Sequence, residues 1–193
     1  MSVVLRLARL RSFRILTLAP ALAVGVAVAL SSPAQSAAPP LPMGWSPGAP
    51  LPGSYGQRWD FASAYFPPLD EVVLFGGAGA DFYGDTWTWD GTNWTEQTPS
   101  SSPRSRWGPA LGYDRVNQEV ALFGGETASG PLGDTWTWDG TNWTQQAPAS
   151  SPAPRFRFPM DWSPNDQLLL FGGSGADTYG DTWTWDGTNW TQR

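Results

Sequence analysis

Eleven residues, Asp-Thr-Trp-Thr-Trp-Asp-Gly-Thr-Asn-Trp-Thr, occur three times without a change, at 85–95, 134–144 and 181–191. No other feature of the 193-residue chain restricts its fold as much, because a segment repeated at spacings of 49 and 47 residues implies one supersecondary unit used three times. Two further landmarks keep step with it. Leu-Phe-Gly-Gly recurs at 74–77, 122–125 and 170–173, and Arg followed by an aromatic recurs at Arg58-Trp59, Arg106-Trp107 and Arg155-Phe156.

Each unit reads as four short strands. The first runs from Arg106 through Leu111 to Tyr113 in the middle copy and ends in an Asp/Asn/Pro-type turn. The second is a short apolar run (Val72 to Phe75, Val120 to Phe123, Leu168 to Phe171), the pattern of a strand buried on both faces. Its two glycines end it. The third, Thr-Trp-Thr-Trp, alternates strictly and so places Trp87 and Trp89 on one face and Thr86 and Thr88 on the other. Asp90-Gly91-Thr92-Asn93 is a turn by residue type, and Trp94-Thr95 opens the fourth strand. Pro/Ser/Ala linkers such as 98–103 join the units. The pattern predicts an all-β chain of three four-stranded antiparallel blades at about 55–98, 103–147 and 152–193. Trp occurs 13 times, and a buried Trp covers about 150–250 Å². Large rings thus take the stabilising place of disulfides in a chain without Cys.

An apolar strand ending in Gly-Gly, then a loop, then Asp-Thr-Trp-x-Trp-Asp with a Trp five residues on, resembles the Kelch repeat. In its exported bacterial form it is similar to the central propeller domain of galactose oxidase. The resemblance spans about residues 55–193 and implies a Kelch-type β-propeller. Propellers close with about four to eight blades, and this chain supplies three. The expectations, in order, are a piece of a longer propeller, two chains self-associating into a six-bladed ring, and a partial or open propeller of one chain. Residues 39–54 read as a linker with a candidate leading strand, because Met43-Gly44-Trp45-Ser46-Pro47 resembles the end of a fourth strand.

Ahead of the repeats, residues 1–38 carry Arg6, Arg9, Arg11 and Arg14 with no acid, then an apolar run at 15–30, then Ser31 to Ala38. A basic region, an apolar region and a small-residue cleavage site together predict a secretory signal peptide and a secreted, extracellular protein, with no membrane contact after cleavage. The alternative is an uncleaved anchor, but a 16-residue apolar run containing Pro20 is short for a span. Removing the leader leaves seven Arg against 17 acids, a net charge of −10. Such a surface does not suit nucleic acid or anionic lipid.

Composition also narrows the chemistry. Without His, Cys or Lys the chain has no imidazole base, no thiolate and no Schiff-base amine. The copper site that the galactose oxidase resemblance implies needs Tyr, His and a Cys-linked Tyr, and it cannot be built here. Residues 76–84 and 172–180 fit the Ca²⁺-binding pattern G-G-x-G-x-D-x-U-x, but that motif works by tandem stacking and these copies lie about 96 residues apart. They read as glycine-rich loops, so no metal and no cofactor is expected. Asp85 and Asp90 recur in every unit, which suits a structural duty better than a glycosidase pair, and no catalytic residue stands out. Asn93-Trp94-Thr95 and its copies match the N-glycosylation triplet, but Asn93 is needed in the turn.

The loops between second and third strands differ (AGADFYG, ETASGPLG, SGADTYG), whereas the third-to-fourth turn never does. Variable loops on a constant scaffold are where specificity usually resides. Asp81, Phe82, Tyr83, Asp177 and Tyr179 are the candidate binding residues, aromatics beside acids that suit a glycan or a peptide segment. The expectation is a secreted Kelch-repeat binding module, not an enzyme, that recognises a glycan or protein. The alternative is a fragment of a carbohydrate-active or oxidase-like propeller enzyme with its catalytic residues elsewhere.

Overall fold

The computed structural model describes residues 50–51, 57–163 and 165–193. The leader expected at 1–38 and the candidate strand at 43–47 lie outside the described residues. The described chain is all-β and antiparallel.

Strands β1 (Ala62–Phe66), β2 (Glu71–Phe75), β3 (Thr86–Trp89) and β4 (Trp94–Gln97) form the first sheet in sequential order. In the second unit β5 (Ala110–Asp114) and β6 (Glu119–Phe123) are followed by a small hairpin, β7 (Glu126–Thr127) with β8 (Gly130–Pro131), inside the variable loop. Strands β9 (Thr135–Trp138) and β10 (Trp143–Gln146) complete that sheet in the order β10-β9-β6-β5. The third unit has β11 (Arg155–Phe156), β12 (Met160–Ser163), β13 (Gln167–Gly175), β14 (Thr178–Trp185) and β15 (Trp190–Gln192), with β11 and β12 both paired to β13.

The first strand of each unit is interrupted after its Arg-aromatic pair. Its main segment begins at Ala62, Ala110 or Met160, and only in the third unit does the pair itself, Arg155–Phe156, form a strand, β11. The cause is a left-handed residue just ahead of it: Asp60 (φ 50°), Gly108 (φ 63°) and Arg157 (φ 54°). That conformation breaks the ladder, and in the second and third units a Pro (Pro109, Pro159) follows without an N–H to donate.

Alternation gives every sheet two chemically different faces. On one, Trp89 opposes Trp94, Trp138 opposes Trp143 and Trp185 opposes Trp190. The other carries Thr86 beside Phe75, Thr135 beside Phe123 and Thr182 beside Phe171. The sheets stack with the Trp face of one on the Thr/Phe face of the one before. One core joins Ala62, Phe66, Val73 and Phe75 to Leu111, Val120, Leu122, Trp138 and Trp143. The next joins Ala110, Ala121 and Phe123 to Met160, Leu168, Leu170, Trp183, Trp185 and Trp190. An indole bond pins each stack: Trp143 Nε1 donates to Thr86 Oγ1 (2.8 Å), and Trp190 Nε1 to Thr135 Oγ1 (2.9 Å). The first strands lie together, β1 against β5 and β5 against β12.

Candidate functional site

At the end of the sheets where each second strand reaches Gly-Gly, which ends β2 and β6 but is only a bulge within β13, three equivalent tripeptides meet: Arg58-Trp59-Asp60, Arg106-Trp107-Gly108 and Arg155-Phe156-Arg157. The Arg of each is structural. The Arg106 guanidinium donates to Asp134 Oδ1 (2.6 Å) and Oδ2 (2.9 Å), to the Gly124 carbonyl (2.9 Å) and to the Arg104 carbonyl (2.9 Å). Trp136 Nε1 donates to the same carboxylate (2.7 Å). Arg155 repeats the arrangement with Asp181, Gly172, Ala153 and Trp183, and Arg58 holds Asp85 and the Gly76 carbonyl. Burial works to raise the pKa of Asp134, but the Arg106 bond and charge overcome it and hold the carboxyl below its ordinary value. Asp181 is lowered to about 2, chiefly by its bond to Arg155.

Clamping the Arg fixes the aromatic that follows. Trp59 pairs with Ala78, Trp107 with Glu126 and Phe156 with Ser174, so each ring is held by the backbone of its own variable loop. The rings then run in a row, Trp59 to Trp107 at 5.8 Å and Trp107 to Phe156 at 4.9 Å between centroids. Phe82 joins from its loop, 6.5 Å from Trp107. Trp59 is 52% exposed and Phe82 37%, and Phe61 beside them is exposed too.

The third residues carry the polar part. The Gly108 N–H donates to the Asp60 carbonyl (2.7 Å), and the Arg157 N–H to the Gly108 carbonyl (2.8 Å). This backbone ladder brings Arg157 Nε to Asp60 Oδ2 (2.7 Å) across the middle unit. It also lays the guanidinium over the Trp107 ring at 4.7 Å. Gly108 leaves the room for this, since a Cβ there would meet the Arg157 N and the Phe156 Cβ at 3.3 Å. Two non-glycine residues in left-handed conformation at one spot is the kind of local strain that collects at working sites. The result is an aromatic row, exposed at Trp59 and Phe82 and half-buried at Trp107 and Phe156, beside a carboxylate and a guanidinium. It can stack on an apolar ring face and exchange hydrogen bonds with hydroxyls.

The residues expected from sequence divide. Phe82 is in the row. Tyr83 and Tyr179 lie on the buried arginines instead, with Arg58 4.4 Å above the Tyr83 ring and Arg155 4.1 Å above that of Tyr179. Asp81 and Asp177 are exposed on the loops of different units, where their carbonyls accept from Gly79 and Gly175. A shallow hollow of about 280 Å³ lies beside Phe82, lined by Arg104, Ser105 and Thr127 to Ser129. Toward the opposite ends of β1, β5 and β12, a cleft of about 510 Å³ is lined by Tyr65, Tyr113, Trp162, Arg115 and Asp161 among others. Trp59, Asp60, Trp107, Phe156 and Arg157 were not among the expected site residues. A signal was present: the residue after each Arg-aromatic pair changes from Asp to Gly to Arg while the Arg stays constant.

Among the described residues no group of three acidic side chains is placed to hold a metal ion. No protein-family model matches the chain, and no curated protein matches it.

Proposed function

We propose that the chain is an exported Kelch-type propeller module that binds a glycan on the aromatic row Trp59–Trp107–Phe156 and Phe82. The propeller reading draws support from the repeated stacking of Trp face on Thr/Phe face with the first strands together. The glycan reading rests chiefly on one observation. A row of rings, exposed at Trp59 and Phe82 and half-buried at Trp107 and Phe156, stands beside the Asp60–Arg157 pair, the combination that recognises a sugar by its C–H face and its hydroxyls at once. Binding is favoured over catalysis because Asp85, Asp134 and Asp181 serve buried arginines while Asp90, Asp139 and Asp186 cap turns.

An oligosaccharide panel titrated into the protein, with Trp fluorescence as the signal, tests the reading. A saturable response that Trp59→Ala weakens at least tenfold, with no reducing sugar released, is the expected outcome. Tenfold corresponds to about 1.4 kcal/mol, a modest demand on one exposed ring. No response across the panel, or a response indifferent to Trp59→Ala, removes the proposal. The export part is checked separately by N-terminal sequencing of secreted protein, expected to begin near Ala37 or Pro39; an intact Met1 on a cytoplasmic product contradicts it.

A further inference from the structure

Among the described residues, the third sheet leaves open a face that is covered in the first two sheets. Phe75 and Phe123 are 0% exposed, whereas their equivalent Phe171 is 50% exposed. Leu169 beside it is exposed as well, where Val73 and Ala121 are buried. The covering group in the inner stacks is the same each time. Trp143 packs its ring 5.4 Å from Phe75 and bonds Thr86, and Trp190 packs 5.0 Å from Phe123 and bonds Thr135. Thr182 stands beside Phe171 in the position of Thr86 and Thr135.

At the other end of the stack the first sheet carries the matching group. Trp94 is the equivalent of Trp143 and Trp190, within the same eleven-residue segment. Those two are 1% and 2% exposed, but Trp94 and its neighbour Trp89 are only half-buried, their rings 5.4 Å apart. The two end faces also depart together from the inner pattern. Asp161 on the third sheet replaces the Ala64 and Gly112 of the first two. Ser63 on the first sheet replaces the Leu111 and Met160 that cover this position in the inner stacks. A carboxylate on one face is thus matched by a hydroxyl on the other.

We infer that the chain associates head to tail with a second copy of itself, the Thr/Phe face of the third sheet receiving the Trp face of the partner's first sheet. The contact is heterologous. Its centre is the Trp94 ring on Phe171 with the indole N–H donated to Thr182, and Ser63 donates to Asp161 at its edge. In a pair of chains the same contact forms twice, once at each open face of the described sheets. The interface involves none of the aromatic row, so it stands or falls independently of glycan binding.

Sedimentation equilibrium of the protein expressed from the full chain tests this. Twice the mass of one chain is expected. Phe171→Asp should return the protein to one chain with an unchanged far-ultraviolet spectrum, and Leu169→Glu provides a second variant on the same face. Trp94→Asp should do the same from the other face. The decisive step is mixing: Phe171→Asp and Trp94→Asp chains in equal amounts retain one intact contact between them and should regain a two-chain species that neither forms alone. A one-chain mass for the parent protein, association indifferent to both Phe171→Asp and Leu169→Glu, or no species regained on mixing overturns the inference.

Discussion

Trp138 and Trp143 face each other across a strand pair at 5.4 Å, yet they do different work. The Trp143 indole N–H donates to Thr86, while the buried N–H of Trp138, like that of Trp185, has no partner among the described residues. Emptying either site costs volume, and Trp138→Ala is expected to lose about 3–5 kcal/mol. Phenylalanine separates the two effects. Trp143→Phe removes a donor and strips Thr86 of its cross-sheet bond, whereas Trp138→Phe removes a donor that was unsatisfied. Trp143→Phe should therefore be the more damaging by about 1 kcal/mol in urea unfolding; equal losses would show that the cross-sheet bond contributes nothing. The Arg clamps belong to this scale too. A fully buried Arg106 depends on the Asp134 carboxylate, and Asp134→Asn is expected to destabilise by about 3 kcal/mol or more because it leaves an uncompensated buried charge.

At the scale of elements, strand ends and turns follow local chemistry. Asp90 Oδ1 accepts the N–H groups of Thr92 and Asn93 at 2.7 Å, which accounts for the Asp of every Asp-Gly-Thr-Asn turn and lowers the Asp90 pKa. The Asn of that turn reaches further in the second and third units: Asn142 accepts from the Ser100 N–H and Asn189 from the Ala149 N–H, so these two turns tie down the linker before their unit. Gly124 shows how a strand end becomes a contact. Its φ of 63° disfavours any side chain, and a Cβ would fall 2.4 Å from the Arg155 carbonyl, which the Gly125 N–H binds at 2.8 Å. Gly91 has a similar positive φ (92°) but open space around it. Gly91→Ala is expected to cost about 1 kcal/mol from conformation alone. Gly124→Ala adds a backbone collision and should cost about 2–3 kcal/mol. Thermal unfolding of the two variants side by side measures the difference.

The whole molecule meets acid through its clamps. Asp181, at about 2, lies below its unfolded value of 3.8, and Asp134 is lowered as well. A depressed carboxyl stabilises the fold above the unfolded pKa, and that contribution is lost as pH falls through the folded value. The window is therefore about pH 4 down to 2. Discounted for the partial exposure of the carboxylate, Asp181 accounts for about 1–2 kcal/mol of the loss. Protonation also relieves repulsion among the 17 acids, which share the described residues with only seven of the chain's eleven Arg, and this acts in the opposite direction. That repulsion acts mostly between surface charges and is screened within about 8 Å at physiological salt. Denaturant midpoints in salt should accordingly fall below pH 4, and Asp181→Asn should flatten the slope there. A midpoint that rises on acidification to pH 2 would show that repulsion outweighs the clamps.

Strand identity, the turns and the alternation of Trp and Thr were legible in the sequence because each depends on neighbours within one unit. The turn that Asp139 caps through the Thr141 and Asn142 N–H groups needs nothing from elsewhere in the chain. Tertiary structure decided two other matters. It assembled Asp60 and Arg157, 97 residues apart, over Trp107, through a backbone ladder whose geometry no local pattern encodes. It also made identical residues unequal. Trp94, Trp143 and Trp190 sit in the same eleven-residue sentence, but only the last two have a preceding sheet among the described residues to cover them. Burial depends on what lies across the interface, so a repeat can specify its own two faces without specifying which of them stays open.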